Sequence, residues 1–221
     1  MASDTAPEIP IGRFEIYANG LDHPECLAFD VDGFLWAGGE AGQVYRIAPD
    51  RSVDIILFAS HAGAHGLVCP NYGVFTRRGD FYVTDSGAWN KRNGFLLRFG
   101  PDGCGEIVAG PLGYANGLAL SAGEQRLFMV ESDADRVLEI DLGSGRAAGY
   151  AEGAGRFPDG LAPDRAGNLY VSCYASGDIH RIGPTGAKTL FAYDPWAILL
   201  GRRSITRART GCAGKPLANE L

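Results

Sequence analysis

Four oxygen-bearing side chains stand at matching places in the chain, each at a tight turn just before an apolar run. They are Glu25, Asn71, Asn116 and Asp159. The last copy, residues 158–162 (PDGLA), shows the pattern best, with a proline before the acid and a glycine after it. Carboxylate and amide oxygens are hard ligands, which suit Ca²⁺, Mg²⁺ or Mn²⁺ better than Zn²⁺. We predict that the four side chains meet at one point and hold a metal ion.

The same four residues mark an internal repeat. Their spacings are 46, 45 and 43 residues, and an aromatic residue follows each of them 11 or 12 positions later. These aromatic residues are Trp36, Tyr82, Phe128 and Tyr170. Two further short apolar runs complete each unit, with Gly, Pro and Asp turns between them and no sustained helical period. A β-sandwich with accidental spacing is the alternative. The pattern favours an all-β protein, a β-propeller of four-stranded antiparallel blades.

Composition excludes several classes of protein. The chain has 221 residues with a net charge of −6, which argues against a nucleic-acid partner. No apolar run approaches the roughly 18 residues of a membrane span, and residues 1–11 lack the apolar segment of a signal peptide. The five cysteines are far apart and never form CxxC, so we expect reduced thiols in a cytoplasmic protein. We expect one propeller domain over residues 13–221, after an N-terminal extension of residues 1–12.

Several phrases resemble the SMP-30/gluconolactonase/LRE-like (regucalcin-like) family. They are residues 23–25 (HPE), 38–46 (GGEAGQVYR), 83–87 (VTDSG), 116–121 (NGLALS) and 158–162 (PDGLA). The resemblance runs over about residues 14–194, with a thinner echo at 201–217. It implies a propeller whose channel holds one divalent ion, and hydrolysis of a lactone or a related ester. It also implies that Glu25, Asn116 and Asp159 are the metal ligands and that Asn71 lies at the metal or the substrate.

The chain departs from this family in its number of repeats. The resemblance implies six blades, whereas only four full units can be counted. Residues 62–67 look like the start of a missing blade, and the family's further inner strand, with a Pro-Thr-Asn phrase, is absent near residues 201–207. We therefore expect four or five full blades or an incomplete ring. A second copy of the chain, in a homo-oligomer, could cover the exposed sheet edges.

The function that these features predict is hydrolysis of a small sugar lactone or a related cyclic ester, dependent on one divalent metal ion. Ca²⁺ is the first choice, with Mg²⁺, Mn²⁺ or Zn²⁺ as alternatives. Asp159 is the predicted general base, which accepts the proton of the attacking water. Trp89, Asn90 and Arg92 lie in the longest insertion, where they would contact the substrate or simply form a hairpin loop. The alternatives are a non-catalytic binding or scaffold propeller stabilised by its metal, and an inactive product that folds only as an assembly.

Other polar residues have plainer interpretations. Asp85 fits an Asx turn better than a place in the channel, and Asp133 and Asp135 lack the Gly and distal Glu of a calcium-binding loop. No Gly-x-Ser-x-Gly sequence supports a serine hydrolase. We expect His180, like His65, to be a packing or loop residue. Cys26 directly follows Glu25, so its side chain should point into the core.

Overall fold

The computed structural model describes residues 15–22, 24–39, 43–56 and 67–193. These residues form sixteen strands in four antiparallel sheets of four, and each sheet is built from consecutive strands. A short 3-10 helix, Ser132–Ala134, precedes the eleventh strand. The sheets are the blades of a four-bladed β-propeller, which confirms the predicted fold. The N-terminal extension and the sequences at 62–66 and 201–217 lie outside the described residues, and Leu67 begins the last described range.

The strands are numbered in chain order, four to a blade. Blade 1 contains β1 (Glu25–Phe29), β2 (Leu35–Gly38), β3 (Val44–Ile47) and β4 (Val53–Ile56). Blade 2 contains β5 (Pro70–Phe75), β6 (Phe81–Asp85), β7 (Gly94–Phe99) and β8 (Gly105–Leu112). Blade 3 contains β9 (Ala115–Leu120), β10 (Arg126–Glu131), β11 (Arg136–Asp141) and β12 (Ala147–Ala151). Blade 4 contains β13 (Pro158–Pro163), β14 (Leu169–Cys173), β15 (Asp178–Ile182) and β16 (Lys188–Tyr193).

Asx turns close the first hairpin of the two end blades, 1 and 4. In blade 1 an Asp30 oxygen accepts hydrogen bonds from the backbone N–H groups of Asp32 and Phe34, at 3.0 and 2.9 Å. In blade 4 Asp164 does the same for Ala166 and Asn168, at 2.8 and 2.9 Å. The side chain thus replaces a backbone turn and fixes where the second strand starts. This explains why a small set of Asp and Gly residues between apolar runs specifies each hairpin.

Strand alternation lets the two inner blades, 2 and 3, bury both of their faces. Successive side chains of β10 point to opposite sides, so Leu127 and Met129 pack in a cluster with blade 2, whereas Phe128 and Val130 pack in a cluster with blade 4. The predicted aromatic markers lie on the side that faces the next blade. Trp36, for example, stacks on Phe75 and Phe81 of blade 2, with ring centroids 5.4 and 5.7 Å apart. The core is therefore a series of layers between blades.

The outer faces of the two end blades remain open in the described part of the chain. Leu27 holds the same register position in β1 as Leu161 in β13, yet its exposed fraction is 67% against 4% for Leu161. At the other end Tyr170 packs edge-on against Phe191 of its own blade, at 4.8 Å, and Phe191 stays 58% exposed. Two apolar faces thus lack the cover that the inner blades give one another.

Two sequence-based expectations concern cysteines and membranes. Cys26, Cys104 and Cys173 are free thiols, as expected. Cys69 is disulfide-bonded, so the expectation of reduced thiols is wrong for that residue. Among the described residues, no helix is both long and apolar enough to pass through a bilayer.

The contrast between Leu161 and Leu27 gives a matched pair of variants. Leu161→Ala should lower the free energy of unfolding by about 2–5 kcal/mol, because it leaves a cavity between blades 3 and 4. Leu27→Ala should change it by no more than about 0.5 kcal/mol, since that side chain is already in contact with solvent. Urea denaturation followed by circular dichroism would measure both. Equal losses in the two variants would contradict the open face of blade 1.

Candidate functional site

The inner strands β1, β5, β9 and β13 pack side by side in that order. Each contains a β-bulge near its start, where the pairing with the second strand of its blade shifts by one residue. Asn71, Asn116 and Asp159 lie at this irregularity in their strands. Bulges re-aim side chains out of the regular alternation and are common beside functional sites. The repeat therefore places a polar residue of β5, β9 and β13 at the same end of the propeller.

Asn116 and Asp159 form the centre of the candidate site. β9 and β13 approach so closely that a Cβ on Gly117 would lie 2.5 Å from the backbone oxygen of Asp159, so only glycine fits there. The Asn116 side chain is buried, and its Oδ1 atom has no hydrogen-bond partner. Burial raises the pKa of the neighbouring Asp159, and a hydrogen bond from Asn116 acts in the opposite direction. The structure thus brings a desolvated carboxylate and an unsatisfied amide oxygen together.

A serine relay orients the amides of the site. Asn116 Nδ2 donates to Ser132 Oγ at 3.2 Å, and this hydroxyl donates to the backbone oxygen of Pro158 at 2.6 Å. Because its nitrogen is held in this way, the oxygen of Asn116 is left facing the site. Blade 2 repeats the arrangement: Asn71 Nδ2 donates to Ser86 Oγ at 3.1 Å, and Ser86 donates to the next blade at 2.7 Å. The sequence pattern does not indicate a role for Ser86 or Ser132, although each directly follows the second strand of its blade.

The structure describes the other two predicted ligands less completely. Glu25 pairs with Gly38 through its backbone, and its side chain lies outside the described residues. Asn71 is buried and lines a small cavity between blades 1 and 2. Its neighbour Tyr72 was not predicted. Burial raises the pKa of the Tyr72 hydroxyl, and the charge of Asp159 adds to this effect. A Cβ on Gly160 would lie 4.0 Å from this hydroxyl, so the phenol reaches the residue that follows Asp159.

Trp89 connects the predicted insertion to the start of two inner strands. Its ring packs against Tyr114 and Phe157, with centroids 4.7 and 5.3 Å apart. These two residues precede Asn116 and Asp159 by two positions, and both adopt positive φ angles, of 57° and 51°. Bulky residues rarely adopt this conformation, and such strain concentrates at functional sites. We call Trp89, Tyr114 and Phe157 the rim cluster.

The other two predicted substrate contacts anchor the same loop. Arg92 forms an ion pair with the buried Glu131 at 3.1 Å. The backbone N–H of Asn90 donates to Asp133 at 3.0 Å. The insertion is thus fixed to blade 3 and positions Trp89 over its neighbours.

Three residues for which the sequence suggests a turn, loop or core role are Asp85, Asp135 and Cys26. Asp85 accepts hydrogen bonds from the backbone N–H groups of Val68, Cys69 and Gly87, as a turn-forming residue does. Asp135 accepts the N–H of Phe157, which fits a loop anchor. Cys26 is only half-buried, and its sulfur exchanges hydrogen bonds with the backbone of Gly73, so the prediction that it is a core residue is wrong.

A family model for the SMP-30/Gluconolactonase/LRE-like region matches residues 26–192. The chain belongs to this family. Gluconolactonase of Zymomonas mobilis is 28% identical over 211 residues, covering 83% of this chain and 56% of the relative. Lactonase drp35 of Staphylococcus saprophyticus is 31% identical over 180 residues, covering 75% of this chain and 55% of the relative. This SMP-30/gluconolactonase-like chain therefore spans about half the length of these relatives.

Solved structures show the same fold. A gluconolactonase from Xanthomonas campestris superimposes with a TM-score of 0.71 at 20% identity, over 82% of this chain and 65% of that one. Virginiamycin B lyase from Staphylococcus aureus gives a TM-score of 0.61 at 16% identity, over 79% and 57%. At these identities the likeness supports the propeller architecture of this family member, and no more.

The raised pKa of Asp159 predicts a pH-dependent penalty on folding in the metal-free protein. The folded state binds this proton more tightly than the unfolded state, so stability should fall as the pH rises from about 4 through the folded-state pKa. Asp159→Asn removes the penalty. In chelator, the variant should be more stable than the wild type at pH 7, and the difference should shrink towards pH 4. Urea denaturation between pH 4 and 7 would measure the free energy of unfolding of both proteins. A difference between them that does not vary with pH would contradict the prediction.

Proposed function

We propose that this chain hydrolyses a small sugar lactone or a related cyclic ester at the site built around Asn116 and Asp159. The observation that carries the proposal is the half-buried, desolvated Asp159 carboxylate beside an Asn116 amide oxygen that has no hydrogen-bond partner among the described residues. The relatives named gluconolactonase and lactonase support the same class of reaction. Because the chain spans about half of those relatives, the activity itself has to be measured on this protein.

The residues at the site suit a hard divalent cation. An unsatisfied, buried amide oxygen and a desolvated carboxylate are both oxygen donors, and each gains by meeting a positive charge. Asn116 and Asp159 would hold the ion, with Glu25 as the third predicted ligand and Asn71 as a further polar contact. Ca²⁺ is our first choice. When bound, the cation would act as a Lewis acid that polarises the lactone carbonyl and stabilises the negative charge that develops on its oxygen.

Asp159 is suited to the proton transfer of this hydrolysis. Burial raises the pKa of the Asp159 carboxyl in the metal-free protein, whereas a bound cation would weaken it as a base, so the nucleophile would be a water held by both the ion and Asp159. Asp159 would take a proton from this water as the water oxygen attacks the carbonyl carbon. The ring C–O bond then breaks, and the proton passes to the leaving alkoxide. Tyr72, whose hydroxyl reaches the residue that follows Asp159, would help to position the water or the substrate.

The rim cluster would supply the substrate contact. An exposed aromatic edge at the channel end can pack against the apolar face of a sugar ring while excluding water from the carboxylate. Trp89 is the member contributed by the insertion, and Asn90 and Arg92 hold that insertion in place. In this proposal Arg92 acts through the loop, since its guanidinium is paired with Glu131.

The test of catalysis is an Asp159→Asn variant assayed on a panel of sugar lactones with Ca²⁺, Mg²⁺, Mn²⁺ or Zn²⁺. Loss of a general base should lower kcat/KM by at least about 100-fold. Asp102→Asn, which alters an exposed turn carboxylate of blade 2, is the matched control and should keep full activity. Wild-type turnover by Asp159→Asn with the same cation would refute the assignment.

A separate variant tests the substrate contact. Trp89→Ala should raise KM about tenfold or more while changing kcat less, because it removes ring contact and leaves the carboxylate in place. Initial rates over a range of lactone concentrations would separate the two constants. A fall in kcat with an unchanged KM would place Trp89 outside the substrate contact.

The second candidate function is a binding or scaffold propeller that uses its metal for stability only. It is favoured by the open outer faces of blades 1 and 4 in the described part of the chain, where Leu27 and Phe191 are 67% and 58% exposed. If the end blades do not hold the channel in shape, a substrate displaced by about 1 Å would react about a hundredfold more slowly. This candidate predicts that a chelator lowers the melting temperature while no lactone in the panel is hydrolysed.

A further inference from the structure

A second group of potential metal ligands lies on the face of blade 4 that packs against blade 3. Cys173 Sγ, a carboxylate oxygen of Asp178 and a ring nitrogen of His180 all lie within 4.8 Å of one another. Cys173 and Asp178 are direct cross-strand partners in the β14–β15 hairpin, and His180 follows two residues along β15. Alternation places all three side chains on one face. The group is enclosed: Cys173 is 3% exposed, and the side chains of Asp178 and His180 are 17% and 14% exposed.

His180 occupies a position that holds a core leucine in blades 2 and 3 and Tyr45, whose hydroxyl accepts a hydrogen bond, in blade 1. In blade 2 the residue at this register is Leu97, which pairs with Val83. In blade 3 it is Leu138, which pairs with Met129. Both leucines are buried against the preceding blade. An imidazole at the same place needs a polar partner, because burying an unsatisfied polar group is costly. Its Nδ1 atom is buried and has no hydrogen-bond partner.

Cys173 also replaces a residue with another role. The corresponding residues of blades 2 and 3 are Asp85 and Glu131, and each accepts a hydrogen bond from a backbone N–H of the loop before its inner strand, at 2.7 Å in both cases. The Cys173 sulfur instead meets a backbone oxygen, that of Ala154, at 3.5 Å. Blade 4 therefore has a thiol at the position where blades 2 and 3 have the carboxylate that fixes this loop. Asp178 and His180 place a different carboxylate and an imidazole beside this thiol.

The backbone of Gly155 packs directly against this group, in a space too small for any side chain. A Cβ at this residue would collide with Cys173 Sγ and would lie 2.9 Å from Cδ2 of His180. Its φ of +124° adds a second reason for glycine here. The loop of blade 3 thus forms a cradle over the sulfur and the imidazole.

We propose that Cys173, Asp178 and His180 form a binding site for a borderline transition-metal ion, Zn²⁺ above all. Thiolate, imidazole and carboxylate are the ligands that Zn²⁺ takes in proteins, and three of them leave a fourth position for water. Zn–ligand distances of about 2.0–2.3 Å require only a small contraction of the present group. Ser176 Oγ donates to Asp178 Oδ1 at 2.6 Å and would orient the carboxylate. Binding releases the thiol proton to solvent.

The same residues are poorly arranged for a catalytic cysteine. The Asp178 carboxylate lies between the other two groups: Oδ2 is 3.1 Å from His180 Nε2, and the thiol of Cys173 also hydrogen-bonds this carboxylate. A nucleophilic thiol needs the imidazole as its direct partner. The sulfur is also nearly inaccessible to a substrate.

Bound metal would stiffen the end of blade 4 that carries Asp159. Cys173 pairs with Pro158, which directly precedes Asp159 in β13. An ion held by Cys173 and by two residues of β15 would tie β14 and β15 together at the point where β14 pairs with the start of β13.

The test uses the full chain, freed of metal by a chelator and kept free of oxygen, then titrated with Co²⁺. One equivalent should produce the near-ultraviolet charge-transfer absorption of a cobalt–thiolate bond, and Zn²⁺ should abolish it. A channel site made of oxygen ligands cannot give this band, so the result is independent of the proposed lactonase activity. A folded wild-type protein that shows no such band would overturn the proposal.

Variants identify the ligands. His180→Leu restores the residue of the sister blades, so it should fold normally and bind Co²⁺ more than about tenfold more weakly. Cys173→Ser should lose the band altogether. Cys104→Ser, at an exposed thiol, and Cys26→Ser, beside Glu25, should retain it. A band that persists in Cys173→Ser, or an unchanged affinity in His180→Leu, would show that the metal binds elsewhere.

Discussion

The close approach of neighbouring inner strands is the constraint on which the rest of the structure depends. Where β9 meets β13, the backbones are so near that only glycine fits at position 117. This proximity makes it possible for a hydroxyl of one blade to reach a backbone oxygen of the next. The hydroxyl in turn fixes the amide of its own blade, and the β-bulge turns that amide towards its neighbour's carboxylate. The polar centre of the site is thus a product of strand packing, and the insertion loop adds the rim cluster beside it.

The fold could be predicted from the sequence because its signals are local. A period near 45 residues, one aromatic marker per unit and Asp or Gly at the turns all act over a few residues. The pairing of Asn116 with Asp159 was also foreseeable, because equivalent positions in a propeller converge. The features that hold this pair in place could not be predicted from the sequence. The bulge depends on the register between two strands, and the roles of Ser132 and Tyr72 depend on which backbone or side chain lies across a blade boundary.

Two residues show how tertiary context changes the meaning of a residue type. His180 was interpreted as a packing or loop residue, since a single histidine in a strand carries no spacing signal. Aligned by register, it replaces a leucine in two sister blades and shares a face with Cys173 and Asp178. Arg92 was interpreted as a substrate contact because of its place in an insertion. Its ion pair with a buried glutamate shows that it holds the insertion in place.

The serine relay has a consequence for how such a chain can change in length. Each relay crosses one boundary and involves only two adjacent blades, so the relay that holds Asn116 beside Asp159 lies within blades 3 and 4. The other predicted site residues, Glu25, Asn71 and Trp89, belong to blades 1 and 2. Loss of a repeat elsewhere in such a chain would leave this relay intact while removing the residues that the lost repeat contributes.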